Sequence, residues 1–145
     1  RTRERKLQDF QKKLSTLTFL DPACGSGNFL TETYLSLRRL ENEILQELQG
    51  GQMVLGYDNM NPIQVSISQF YGIEINDFAV TVAKTALWIA ESQMMKETES
   101  IVLMHLDFLP LKRMHLYMRA THFKLIGKAL FRNISFHILW EIRLL

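Results

Sequence analysis

The sequence contains a single cysteine, Cys24, and only three prolines in 145 residues. A lone cysteine excludes an internal disulfide framework and any zinc site built from several cysteines. The longest apolar run, residues 86–90, falls far short of the ~18 residues that a membrane span requires. No basic-then-apolar leader follows Arg1, and the histidines lack metal-ligand spacing. These absences favour a globular, cytoplasmic protein in a reducing setting, with no membrane segment and no metal.

Charge is distributed unevenly along the chain. Residues 1–110 carry 10 Lys+Arg and 14 Asp+Glu, a net charge of −4, whereas residues 111–145 carry seven basic side chains and one acidic side chain, a net charge of +6. Six of the seven glycines precede Pro110. This break predicts an N-terminal region, 1–110, and a basic C-terminal segment, 111–145, of different role.

Two interpretations of the C-terminal segment follow from its composition. Its cations and interleaved aromatic side chains could contact phosphates and stack on bases, which would make it a small nucleic-acid-binding module. Alternatively, it is an amphipathic extension that covers exposed sheet. The lack of a known nucleic-acid-binding motif favours the second interpretation.

Apolar periodicity predicts alternating helices and strands. The order strand, helix, strand, helix, strand predicts parallel pairing through right-handed crossovers, as in the first half of an open, doubly wound α/β sheet. The predicted elements are a helix over 1–16, a strand over 18–20, a helix over 28–49, a strand over 70–75, a helix from Asn76 or Asp77 to about 95, and a strand over 101–106.

A Gly-rich turn, residues 21–27, joins the first predicted strand to the long helix. Such a position presents free backbone N–H groups and a positive helix end to a ligand. Gly25 and Gly27 allow positive φ and close approach of a ligand to the backbone. Asp21 would repel a phosphate but could pair with an ammonium group. The mixture favours a ligand with both a cationic group and a carboxylate, while Cys24, which has no neighbouring base, is interpreted as packing behind the turn.

The run Asp-Pro-Ala-Cys-Gly-Ser-Gly-Asn-Phe at 21–29 resembles motif I of the DNA methyltransferases that modify adenine N6 with S-adenosylmethionine as donor. Residues 69–91 resemble the next motif block of that family. Segments 38–41 and 88–91 resemble large bacterial members related to fused type II restriction–modification enzymes. The resemblance covers about residues 19–110.

The resemblance implies a Rossmann-like methyltransferase fold, incomplete after three strands, with S-adenosylmethionine as cofactor and DNA as the partner of the intact enzyme. It implies cofactor binding by the residues of motif I, which are Asp21, Pro22, Ala23, Gly25, Ser26, Gly27, Asn28 and Phe29.

Four further positions are candidates for the cofactor site. Glu74 ends the second strand and can accept two hydrogen bonds from a ribose diol, and Ile75 can lie against an adenine ring. Asp107 and Phe108 resemble the block in which an Asp accepts from the cofactor's adenine amine beside an aromatic ring. The alternatives are a solvated strand-end carboxylate for Glu74 and a turn-capping Asp107.

The sequence lacks the Asn-Pro-Pro-aromatic tetrapeptide with which such enzymes hold a flipped adenine, so no catalytic residue is predicted. Asn61-Pro62 has one proline and no aromatic residue, and it precedes the second strand. We therefore expect the cofactor-binding part of an adenine methyltransferase, in a fragment or truncated reading of a longer protein. A non-catalytic remnant and a nucleic-acid-binding module are the rival hypotheses.

Overall fold

The computed structural model describes residues 2–49, 62–103, 106 and the backbone of 115–118. Its elements, in chain order, are α1 (Thr2–Thr16), β1 (Phe19–Asp21), α2 (Asn28–Gln49), a 3-10 turn (Ile67–Gln69), β2 (Phe70–Glu74), α3 (Asp77–Val102) and β3 (His115–Met118). In this part of the chain, no helix is long and apolar enough to cross a membrane.

The strands form one small parallel sheet in the order β1-β2-β3. In β1 and β2, Phe19 pairs with Phe70 and Asp21 pairs with Gly72. In β2 and β3, Glu74 pairs with Met118. Because all the strands run in the same direction, their carboxyl ends lie at one edge of the sheet, where α/β proteins bind ligands.

The helices and strands enclose an apolar core that includes Leu30, Tyr34, Phe70 and Leu87, each at most 1% exposed. The rings of Phe19 and Phe70 stack with centroids 5.0 Å apart, which fixes β1 against β2. The predicted positions of α1, α2, β1 and β2 are confirmed to within one or two residues.

The predicted third strand at 101–106 is wrong, because Ile101 and Val102 form the last turn of α3. The buried face of α3 continues through Met94 and Thr98, so burial along one helix face outweighs the β-branched pair at its end. The helix ends at Leu103, whose φ of 53° is left-handed, and β3 follows within the C-terminal segment instead.

A buried polar network ties α2 to the rest of the fold. Arg38 and Glu41 are both fully buried and form an ion pair. A second guanidinium nitrogen, Nη2, donates to Thr98 Oγ1 on α3 at 2.7 Å. Glu41 Oε1 accepts from Gln11 Nε2 on α1 at 2.9 Å and from Gln64 N at 2.6 Å. Buried charges need such partners, and here they connect three helices and the segment that leads into β2.

Candidate functional site

The turn after β1 has a backbone that its two glycines make possible. Gly25 has φ 54° and Gly27 has φ 79°, both in the left-handed region that side chains disfavour. A Cβ on Gly27 would lie 2.7 Å from the Cβ of Ala83, so glycine is required there for α3 to pack closely. A Cβ on Gly25 would meet nothing within 4 Å. One glycine therefore serves packing, and the other exposes backbone to open space.

Behind the turn, Cys24 is packed against β2. Its N–H donates to Ile73 O at 3.1 Å, and its Sγ would lie 2.7 Å from a Cβ on Gly72. Burial, followed by the negative charges of Asp21 and Glu74, raises the pKa of the Cys24 thiol to about 11. Cys24 is therefore a neutral packing group, as the sequence indicated.

Glu74, the last residue of β2, binds the turn after β1. Its Oε2 accepts from Gly25 N at 2.9 Å, while its Oε1 accepts from Ile75 N at 2.8 Å and from Asn76 N at 2.9 Å. The backbone N–H groups of Asn76, Ile75 and Gly25 lower the pKa of Glu74 against a smaller opposing effect of desolvation. The carboxylate is thus ionised and held in place at the edge of the sheet.

Beyond Glu74, the chain enters α3 through a well-formed cap. Asn76 Oδ1 accepts from Phe78 N at 2.9 Å and from Ala79 N at 3.2 Å, confirming the predicted start of this helix. The cap leaves two large apolar side chains in solvent, Ile75 at 69% exposed and Phe78 at 78%. Apolar surface beside a fixed carboxylate suits a ligand with both a polar group and a flat apolar ring.

The structure brings most of the predicted site residues to one place. Asp21 ends β1, where its Oδ1 accepts from Ala23 N at 3.1 Å, and Ser26 Oγ lies 3.3 Å from Asn28 Oδ1. Pro22, Ala23 and Asn28 are exposed on the turn and at the start of α2. Phe29, in contrast, is partly buried against the apolar core. Asp107 and Phe108 lie outside the described residues.

Three features of the site were not predicted from the sequence. The bond between Glu74 and Gly25 N joins residues 49 positions apart, and the close contact of Gly27 with Ala83 joins two elements. A small-residue face on α3, which includes Ala79 and Ala83, was the one local sign of that contact. The exposed ring of Phe78 was also missed, because periodicity alone does not say which apolar residues stay in solvent.

The site combines groups of opposite polarity. Two carboxylates, Asp21 and Glu74, flank the turn, and the first turn of α2 offers N–H groups that have no intrahelical partner and a positive dipole end. This arrangement can hold a cation and a carboxylate at once. Among the described residues, no cluster of His, Cys, Asp and Glu could hold a metal ion.

The chain is similar in sequence to known DNA-methyltransferase proteins. The family model of the MmeI DNA-methyltransferase domain matches residues 1–124, so the match includes β3 and extends beyond residue 110. DNA methyltransferase A of Bacillus subtilis is 50% identical over 97 residues, which are 67% of this chain and 11% of that protein. The adenine-specific methyltransferase PglX of Streptomyces coelicolor is 32% identical over 74 residues, 51% of this chain and 5% of that protein.

A solved structure has the same fold over most of the chain. The type IIL restriction–modification enzyme MmeI in complex with DNA superposes with a TM-score of 0.70 at 40% sequence identity, covering 80% of this chain and 16% of that one. The chain therefore spans a small part of each relative. Since the family model matches most of its residues, the chain belongs to the family of the MmeI DNA-methyltransferase domain.

Proposed function

We propose that this chain is the S-adenosylmethionine-binding part of a DNA methyltransferase that modifies adenine N6 and belongs to a restriction–modification enzyme. The bond between Glu74 Oε2 and Gly25 N is the observation that carries the proposal. It joins the two sequence motifs that resemble the family into a single site at the carboxyl edge of the sheet. A Rossmann-like fold is part of the same proposal, supported by the parallel sheet and its helical crossovers.

The residues present fit this cofactor group by group. Asp21 would pair with the ammonium of the methionine part, and the N-terminal turn of α2 would face its carboxylate. Three backbone N–H groups leave about one of the four lone-pair sites of Glu74 free, next to Gly25 N, so Glu74 would accept from one ribose hydroxyl rather than from both. Ile75 would cover one face of the adenine ring.

In catalysis, this chain would bind and orient the cofactor. When bound, the cofactor supplies an activated methyl group on a positively charged sulfur. The open space at Gly25 lets a ligand lie directly against the backbone, and the packed contact of Gly27 with Ala83 keeps that backbone still. Orientation of this kind lowers a barrier because it removes the entropy cost of bringing the reactants together.

Adenine as the target rests on the relatives. PglX is named an adenine-specific methyltransferase, and MmeI was solved in complex with DNA. The sequence of this chain has no Asn-Pro-Pro-aromatic tetrapeptide to hold a flipped base. We therefore place cofactor binding in this chain and recognition of the base in a segment that carries such a motif.

The test is titration calorimetry of the 145-residue chain with S-adenosylhomocysteine. We expect Asp21→Asn and Glu74→Gln each to weaken binding by about tenfold, equivalent to one lost charge-assisted hydrogen bond of roughly 1.5 kcal/mol. Glu32→Gln, an exposed carboxylate on the outer face of α2, is the matched control and should bind as the unchanged chain does. Equal affinity in all four proteins would contradict the assignment of the site.

A further inference from the structure

The outer face of α3 carries no exposed charged side chain over four turns. Its exposed residues from 78 to 93 are Phe78, Thr81, Val82, Thr85, Trp88, Ile89 and Gln93. The outer face of α2 is the natural comparison, because four of its seven exposed residues are charged. They are Asn28, Glu32, Ser36, Arg39, Glu43, Gln46 and Glu47. The exposed charged residues of α3 lie at its two ends, at Asp77, Lys96 and Glu97, so the middle of this helix differs from α2 on its outer face.

Within this face, the large exposed apolar side chains lie along one side of the helix, and we call them the α3 stripe (Phe78, Val82, Trp88 and Ile89). Their exposed fractions are 78%, 37%, 41% and 47%. From Phe78 to Ile89 the stripe runs about 16 Å along the helix. Depletion of charge together with enrichment in Trp, Phe and Ile marks the core of a protein interface rather than a solvated face.

The stripe begins where the chain leaves the sheet. Glu74, four residues before Phe78, is the register partner of Met118, the last residue of β3. Because paired strands lie about 4.8 Å apart, the chain leaves β3 at Met118 about one strand spacing from the end of β2, close to the start of the stripe. The 27 residues 119–145, which lie outside the described part of the chain, are ample to run the length of the stripe.

The sequence of residues 119–145 complements α3. Apolar residues recur at 123, 126, 130 and 134, and basic residues recur at 124, 128 and 132, a pattern typical of an amphipathic helix. The segment has five basic residues and one acidic residue, a net charge of +4, and its recurring basic positions fall on the side of the helix opposite the apolar ones. Nucleic acid is disfavoured as the occupant, because the stripe offers no cation to a phosphate.

We propose that residues 119–145 of this chain pack their apolar positions, Phe123, Ile126, Leu130 and Ile134, on the α3 stripe, with the basic positions facing water. The C-terminal segment is then an intramolecular cover for a helix face. This assignment refines the expectation that it covers exposed sheet, and it is independent of whether the site at Glu74 binds S-adenosylmethionine.

The first test measures how fast a thiol in the stripe reacts. Thr85→Cys places one at the centre of the stripe, and Ser36→Cys places a matched one on the outer face of α2, while the native thiol of Cys24 is buried. With N-ethylmaleimide and the full chain, we expect Cys at 85 to react at least tenfold more slowly than Cys at 36. Equal rates would overturn the proposal.

Variants of residues 119–145 then test whether this segment is what protects the α3 stripe. In the Thr85→Cys chain, Ile126→Asp with Leu130→Asp should raise the rate to that of Ser36→Cys, whereas Lys124→Ser with Lys128→Ser, on the other face, should leave the protection in place. Unchanged protection with both pairs would overturn the proposal. Slow reaction of Cys24 confirms that each variant stays folded.

A cross-link tests the contact without disturbing the segment. With p-benzoylphenylalanine in place of Thr85, irradiation should give a product of monomer mass that joins position 85 to a peptide from 119–145. A product of dimer mass would instead assign the stripe to a second copy of the chain, and absence of a product would leave the stripe in solvent. Either result would overturn the proposal.

Discussion

Glu74 Oε2 lies 2.9 Å from the backbone nitrogen of Gly25, and this single hydrogen bond links the end of β2 to the turn after β1. Two more N–H groups, from Ile75 and Asn76, bind the other oxygen of the same carboxylate. The carboxylate of Glu74 is therefore held in position by the backbone around it.

The first prediction concerns the pH dependence of folding. The backbone N–H groups of Asn76, Ile75 and Gly25 lower the pKa of Glu74 below its ordinary value of 4.5. A carboxyl group with a lowered pKa in the folded state stabilises the fold above its unfolded pKa, and this contribution is lost as pH falls through the folded value. We expect Glu74→Gln to flatten the decline in stability below pH 4.5, measured by urea unfolding at a series of pH values.

The second prediction separates the two glycines of the turn. Gly25→Ala should cost about 1–2 kcal/mol of folding free energy, the price of a left-handed backbone at an alanine with room around its Cβ. Gly27→Ala adds a clash with Ala83 at 2.7 Å, which brings the cost to roughly 2–5 kcal/mol. Guanidinium unfolding measures both.

A double variant checks the cause of the larger loss. If the clash is responsible, Gly27→Ala combined with Ala83→Gly should be more stable than the sum of the single changes by at least about 1 kcal/mol. Strict additivity of the two would show that Gly27 is required by its backbone conformation alone.

The third prediction is that Cys24 reacts slowly in the native protein. Burial and the nearby carboxylates of Asp21 and Glu74 raise the pKa of its thiol to about 11, so the thiolate is scarce at pH 8. Iodoacetamide should modify the native chain at least a hundredfold more slowly than the chain in 6 M guanidinium, as followed by mass spectrometry. Similar rates in the two states would place the thiol on the surface.

The fourth prediction concerns the buried pair of Arg38 and Glu41. Glu41→Gln or Arg38→Met leaves one charge buried without its partner, which typically costs about 3–5 kcal/mol. Arg39→Met, at the exposed neighbouring position, is the matched control and should change stability by less than about 0.5 kcal/mol. A small effect at Arg38 would mean that water reaches the guanidinium.

The fifth prediction follows from the proposed function. Incubated with S-adenosylmethionine carrying a tritiated methyl group and mixed-sequence DNA, the 145-residue chain should transfer no methyl group, because its sequence has no Asn-Pro-Pro-aromatic segment to hold a flipped adenine. The same domain continued through such a segment is the positive control. Transfer by the 145-residue chain alone would show that its base-binding residues lie elsewhere, with Asn61-Pro62 the first place to look.

Local features of the fold were predictable from the sequence, and contacts between distant segments were not. The spacing of apolar residues marked α2, and Asn76 marked the start of α3, because both depend on residues within one or two turns. The third strand was misplaced because Ile101-Val102 has β propensity but lies on the buried side of a long helix. Leu106 N then donates to Glu99 Oε1 at 2.8 Å, bringing the chain back against the last turns of α3.

The candidate site shows the same division. Motif I placed Asp21 and the glycines on one turn, since they are adjacent in sequence. The partner of Gly25 is 49 residues away and that of Arg38 is 60 residues away on α3, and no local pattern encodes such pairs. The periodicity of apolar residues does not show which side chain joins two motifs that are distant in the sequence.

The carboxylate of Glu41 has one more consequence. On α2, before the segment 50–61, it accepts from the backbone of Gln64 and Val65 after that segment, and Gln11 Nε2 also donates to Pro62 O at 2.8 Å. These bonds fix the chain again just before β2, so we expect the position of Glu74 to depend on α1 and α2 rather than on the number of residues between 49 and 62. We therefore expect insertions and deletions there to leave the carboxyl edge of the sheet in register, so that the length of this stretch can evolve independently of the site.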